Sequence, residues 1–234
     1  MGTIRVLGYN VRSLRDDRRA VARVIAACSA DVVCVQEAPR LLLWRTGRRA
    51  LARDCRLKAA VSRRTGGLAI LVRPDAEVVH TEHHVLRRYP GLHVRAVTMA
   101  VVELSGHRIA VASTHLDLAP GPRLQHAAEV LGRLNAMAAA HGAPPLLAGD
   151  VNEEPGGPAW RLLTADLRDA AAEAPWGEPM TFTARRPRRR IDAVFTGAGL
   201  TPLRAGVPTA LVTDGDAVAA SDHRPVLAEI GFES

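Results

Sequence analysis

Short runs rich in Val, Ile and Leu, bounded by Gly, Pro, Asp or Ser, recur along the chain and predict strands at Ile4 to Tyr9, Val32 to Gln36, Leu68 to Arg73, Arg95 to Leu104, Arg108 to Thr114, Leu146 to Ala148, Ile191 to Phe195 and Pro225 to Ile230. Helical periodicity appears elsewhere. Between Asp16 and Ser29, Val21, Val24, Ile25 and Cys28 recur at i, i+3, i+4 and i+7. From Gly121 to Ala140, Leu124, Ala127, Ala128, Leu131 and Leu134 form one apolar stripe, which His141-Gly142 and Pro144 bring to a stop. Trp160 to Leu167 is a shorter helix, and Arg40 to Asp54 a less regular one. Residues 68 to 115 hold strands with no helix between them, and the Ser105-Gly106 pair inside ELSGHRIAV reads as a hairpin turn. Hairpins give antiparallel pairs and strand-helix-strand segments give parallel ones, so the pattern predicts a layered domain with mixed sheets, with residues 1–234 as one unit.

The strands end in polar groups. Asn10 follows the first strand, Gln36-Glu37 the second, Thr114-His115 the fifth, and Asp150 and Asn152 the sixth. Asp192 lies in RRIDAVF, and Asp222-His223 directly precede the last strand. A rigid sheet holds such groups while the following loops stay accessible, so strand ends are where functional side chains gather.

A hydrophobic fraction of 47% argues against disorder. No window reaches the ~18 apolar residues of a membrane span, and Arg5 interrupts what would be a signal peptide's apolar stretch, so a cytoplasmic protein is expected. Cys28, Cys34 and Cys55 are odd in number and lack C-x-x-C spacing, which indicates neither a disulfide framework nor a zinc site. The net charge of +7, carried almost wholly by arginine, points to an anionic partner, because guanidinium forks match phosphate geometry. Arg185, Arg186, Arg188, Arg189 and Arg190 crowd the residues before Asp192 and are the expected nucleic-acid contact; as a solvated loop they would serve solubility alone. Aromatic residues make up only 3% of the chain, which disfavours single-strand binding by base stacking. No obligate protein partner is evident.

The stretch PLLAGDVNEEPGG, Pro145 to Gly157, concentrates oxygen donors after a strand. A calcium loop fails, since Pro155 stands where the sharp turn requires Gly and Arg161 where a bidentate Glu is needed. A polar turn and a catalytic strand end both fit. Asn10, Glu37 and Asp222 are hard oxygen donors without cysteine partners, which favours Mg²⁺ or Mn²⁺ over zinc. Asp150, His115 and His223 are then free to move protons or to bind phosphate. A serine hydrolase built on Ser113 or Ser221 lacks the G-x-S-x-G elbow, and adjacent Ser-Asp-His cannot form a triad. A non-catalytic binding module is disfavoured by the retention of every one of these polar groups.

The ordered set YNVR, VCVQEA, GLAILVR, STHLD, GDVNEEP, LRDAA, RRIDAVF and SDHRPV, from Tyr9 to Val226, resembles the endonuclease/exonuclease/phosphatase superfamily typified by deoxyribonuclease I. The resemblance implies an α+β fold, a four-layer α/β/β/α sandwich of two mixed sheets packed face to face. It implies a metal set of Asn10, Glu37 and Asp222, with Glu37 the principal ligand. Asp150 looks like the group that orients or deprotonates water, Asn152 like a phosphate donor, Asp192 and His223 like a carboxylate-imidazole pair, and His115 like a second histidine at the phosphate. A His in STHLD, in place of the Tyr of the abasic-site repair branch, implies the branch of deoxyribonucleases, phosphoinositide phosphatases, sphingomyelinases and deadenylases. A nuclease-like phosphodiesterase is the first expectation, and a phosphatase or lipid phosphodiesterase the second.

Overall fold

The computed structural model describes residues 2–41 and 43–233. Leu42, within the helix expected over Arg40 to Asp54, lies outside the described residues, as do Met1 and Ser234 at the ends of the expected unit. Strands β1 (Thr3–Asn10), β2 (Val32–Gln36), β3 (Lys58–Arg63), β4 (Leu68–Val72), β11 (Leu200–Gly206) and β12 (Val226–Phe232) form one six-stranded sheet in the order β11-β12-β1-β2-β4-β3. Strands β5 (Glu77–Val85), β6 (Ala96–Leu104), β7 (His107–His115), β8 (Pro145–Asp150), β9 (Arg168–Asp169) and β10 (Asp192–Thr196) form the other, ordered β5-β6-β7-β8-β10-β9. Each sheet contains one parallel pair, β1 with β2 and β7 with β8, among antiparallel neighbours.

Period-2 alternation explains the layers. In β1, Ile4 and Val6 face the other sheet and meet Val111, Leu146 and Ala148 in a shared core, while Leu7 and Tyr9 point outward. The outward set packs under α1 (Arg18–Cys28), α2 (Trp44–Asp54) and α6 (Asp214–Ala220). The outer face of the second sheet is covered by α3 (Pro120–His141) and α4 (Pro158–Asp166), with Leu131, Leu134 and Trp160 against Met99 and Phe195. A short α5 (Ala170–Glu173) follows β9. The four layers of the expected α+β sandwich are therefore present. Cys28, Cys34 and Cys55 are free and buried.

Local chemistry sets the boundaries. Asp17 caps α1 by accepting the Arg19 and Ala20 amides, and Pro120 opens α3, where a missing N–H costs nothing. Gly142 ends α3 in the left-handed conformation. Ser105 and Gly106, both at positive φ, form the β6–β7 hairpin turn. Among the described residues, no helix is long and apolar enough to cross a membrane.

Candidate active site

The two parallel pairs define where chemistry can occur, because their crossovers leave both carboxyl ends on one edge of the sandwich. Asn10 sits opposite Gln36 at the end of β1 and β2, and Glu37 follows at once. His115 sits opposite Asp150 at the end of β7 and β8. The antiparallel partner β10 begins with Asp192 opposite Asp150, and β12 enters beside β1 just after Ser221, Asp222 and His223. Gly149 permits this convergence: a Cβ there would lie 2.2 Å from the Thr114 carbonyl oxygen, so only glycine lets β8 approach β7 so closely.

Asn10 is the hub. Its Nδ2 donates to Asp150 Oδ2 at 3.0 Å and to Glu37 Oε1 at 3.5 Å, while its Oδ1 accepts the Arg12 amide at 3.1 Å. His115 Nε2 lies 3.3 Å from Asp150 Oδ2, and His223 Nε2 lies 3.7 Å from the same oxygen. The other ring nitrogen of His223 donates to Asp192 Oδ2 at 2.9 Å. Two histidines thus face one buried carboxylate, in opposite electrostatic settings. Burial pushes the His115 imidazole down to about 3, with Asp150 only partly offsetting it, so this ring is neutral. Burial also disfavours charge on His223, but the Asp192 carboxylate and its hydrogen bond, then Asp150 and Asp222, outweigh it and push the ring up to about 10. Asn152 N–H donates to Asp150 Oδ1 at 2.9 Å, and its side-chain amide donates to the Leu116 carbonyl at 3.0 Å, which leaves one amide N–H for the cleft.

Of the sequence-predicted site residues, Asn10, Glu37, His115, Asp150, Asn152, Asp192 and His223 meet at this edge. Asp222 lines a neighbouring recess with Asp16, Thr183 and Arg185, where its Oδ2 lies 3.4 Å from Arg12 Nε and its Oδ1 3.4 Å from Ser221 Oγ, and its charge still acts on His223. Both partners are well exposed, and such a surface pair is worth at most ~1 kcal/mol, so the carboxylate is weakly held. Glu37 has no arginine within 4.0 Å among the described residues; His115 Nδ1 lies 3.9 Å away. Atoms of Asp150, Asp192 and His223 also lie within 4.8 Å of one another, but a protonated His223 bonded to Asp192 offers no lone pair. Oxygen donors around Glu37 and Asp150 suit a hard divalent cation.

The arginine-rich loop is dispersed. Arg190 is held by Asp169 through a two-pronged pair at 2.9 and 2.7 Å and stacks over Trp160, so it serves the fold. Arg189 borders the cleft and faces Glu154 at 3.4 Å, while Arg185, Arg186 and Arg188 are exposed. Sequence reading missed Arg95 and Arg40 in the cleft wall, although Arg40 lies three residues after Glu37. It also missed Phe182, whose ring lies 4.9 Å from that of His223, and the Arg123–Glu153 pair that braces the loop after β8. Glu153 further accepts the Trp160 amide at the start of α4. The serine alternatives fail on geometry: Ser113 is sealed between the sheets beside Gln36, and Ser221 donates to the Asn10 carbonyl.

The model of the Endonuclease/Exonuclease/phosphatase family matches residues 7–223. No curated protein matches significantly. Among solved structures, an endonuclease/exonuclease/phosphatase from Bacteroides vulgatus superposes with a TM-score of 0.83 at 21% identity, covering 100% of both chains. A Bacteroides thetaiotaomicron mannosyl-6-phosphatase gives 0.81 at 18% identity, over 98% of this chain and 100% of that one. The human Nocturnin catalytic domain, which carries a bound sulfate, gives 0.74 at 17% identity over 99% and 95%. At these identities the likeness is one of fold.

Proposed function

Since the chain belongs to the endonuclease/exonuclease/phosphatase family, whose members hydrolyse phosphate ester bonds, we propose that it is a divalent-metal-dependent phosphodiesterase of the nuclease type, acting by in-line attack of water. The observation that carries this reading is the pair of imidazoles, one neutral and one cationic, that both face the buried carboxylate of Asp150. A cationic imidazole beside a buried carboxylate supplies an acid and a base, and a neutral imidazole a hydrogen-bond donor. Asp150, held by Asn10 and the Asn152 amide, orients the water and takes its proton. His223, kept charged by Asp192, neutralises the phosphate and protonates the departing oxygen as the P–O bond breaks. His115 and Asn152 hydrogen-bond the phosphoryl oxygens.

Glu37 is the principal candidate ligand for Mg²⁺ or Mn²⁺, with Asn10 and, once released from Arg12, Asp222. The ion would supply charge neutralisation at the phosphoryl group. We treat residues 1–234 as one catalytic unit. Three buried free thiols suit the reducing cytoplasm. A phosphatase or lipid phosphodiesterase is the second reading, favoured by Leu118, which is 67% exposed and lines the cleft.

The test is hydrolysis of plasmid, oligonucleotides, bis(p-nitrophenyl) phosphate and phosphoinositides with Mg²⁺ or Mn²⁺, with and without EDTA. Asp150→Ala and His223→Ala should each slow the reaction ~10²–10⁴-fold. Turnover that survives EDTA, or that both variants retain, would refute the mechanism.

A further inference from the structure

A second hollow, of about 640 Å³, opens beside the reaction cleft of about 420 Å³, and the two share Arg15, Arg40 and Gly66 in their walls. We propose that the outer hollow is a second anion subsite, in which Arg15, Arg40 and Arg64 hold a further phosphate of the same substrate. The three guanidinium groups arrive from different parts of the chain, and backbone hydrogen bonds lock their loops together. Ser13 N–H donates to the Glu37 carbonyl at 2.7 Å, and Ala38 N–H donates to the Gly67 carbonyl at 2.7 Å. Arg64 Nε donates to the Arg40 carbonyl at 2.9 Å.

Among the described residues, none of the three has a carboxylate within 4.0 Å, whereas surface arginines such as Arg18, Arg23, Arg108 and Arg204 each have one. Like charges gathered in one concavity without counterions raise the local potential, and a concave wall focuses that field on an anion. Arg95 extends the positive track to the reaction centre. It is only 8% exposed, it lines the cleft, its Nε finds no hydrogen-bond acceptor, and its nearest carboxylate oxygen, on Asp117, lies 3.8 Å off. A buried guanidinium left in this state is a donor waiting for a ligand.

Gly66 forms the floor where the hollows join. Its φ is +72°, and a Cβ would stand 2.6 Å from the buried Ala96 methyl, so only glycine fits at this point. Leu41 and Val94, 74% and 37% exposed, offer an apolar wall for the uncharged part of the ligand. The chemistry selected is an ester that carries a second phosphate, either the next phosphate of a nucleotide chain or a second phosphate on a small sugar or polyol.

The inference rests on the phosphoesterase reading for which phosphate is cleaved, and its test measures binding without turnover. In EDTA, calorimetric titration compares a nucleoside 5′-monophosphate with a nucleoside 3′,5′-bisphosphate, and a hexose monophosphate with a hexose bisphosphate. In at least one pair the bisphosphate should bind about tenfold more tightly, the scale of one charge-assisted contact. The Arg40→Gln/Arg64→Gln double variant should lose that margin, and Arg64→Lys should recover part of it. The nucleoside and hexose arms tell the two phosphate sources apart. If the double variant misfolds by circular dichroism, Arg64→Gln alone, at an exposed side chain, carries the comparison. Equal affinities within both pairs for the wild-type protein, or a margin unchanged in a folded variant, would overturn the subsite. Failure of the phosphoesterase reading would look different: no ester hydrolysed with Mn²⁺ while the binding margin persists.

Discussion

Two basic regions invite comparison: the arginine run from Arg185 to Arg190, contiguous in sequence, and the hollow of Arg15, Arg40 and Arg64, assembled from three separate loops. The run looks like a single patch on paper, yet its members go different ways. Arg190 turns inward onto Asp169 and Trp160, Arg189 faces Glu154, and Arg185 lines the recess that holds Asp222. The hollow has no signature in sequence, yet its charges share one concavity and lack carboxylate partners among the described residues. Adjacent residues in an extended loop project in alternating directions, whereas loops that leave neighbouring strands converge. Charge density along the chain is therefore a poor guide to charge density in space.

The largest effect that would break this comparison belongs to Arg190. Its side chain is 15% exposed against 6% for Asp169, and its removal leaves a nearly buried carboxylate that also caps α5 and accepts the Trp160 indole N–H. Breaking such a pair costs about 3–5 kcal/mol, so Arg190→Ala should lower urea-unfolding stability by that amount. A loss within ~0.5 kcal/mol would return Arg190 to the solvated charges of its loop.

A pair that pH can switch stands against these permanent charges. His223 has its folded pKa raised to about 10, above the ordinary value of ~6.5. The stability its ionised pair with Asp192 contributes is therefore complete below pH ~6.5 and is lost as pH climbs through about 10. In EDTA, the stability gap between wild-type protein and His223→Gln should be on the order of a few kcal/mol at pH 6 and should shrink by pH 10. A gap that widens with rising pH would contradict the assignment.

The eight strands legible in the sequence are the inner strands of the two sheets, and the four that were not, β3, β5, β9 and β11, are the four edges. An inner strand is buried on both faces and writes an unbroken apolar run, as Val32 to Val35 does. An edge strand carries charge and polarity that discourage further pairing; EVVHTEHHV in β5 has no fully buried residue. The helices α5 and α6 are too short for periodicity to declare. At the site, groups that end strands were legible because strand ends are marked by the runs before them. The setting of Asp222 was not, because SDHRPV does not encode that its carboxylate lies on Arg12. The roles of Arg95 and Arg40 were equally hidden, since an arginine beside a strand has no pattern that separates a cleft wall from solvent.

The smallest effect is the sharpest test of the two regions, because it asks for a near absence of change. Arg186 and Arg188 are exposed and have no carboxylate within 4.0 Å among the described residues, so Arg186→Gln and Arg188→Gln should alter stability by less than ~0.5 kcal/mol. Their contribution to binding is separable through salt. Each phosphate neutralised on a single strand contributes about 0.7 to the slope of log affinity against log salt. For an oligonucleotide bound in EDTA, the Arg40→Gln/Arg64→Gln double variant should reduce that slope by about this amount, while the two loop variants leave it unchanged. A reversed result, with the loop variants flattening the slope and the hollow variant inert, would mean that the contiguous run is the nucleic-acid contact after all and that the converging charges face only water.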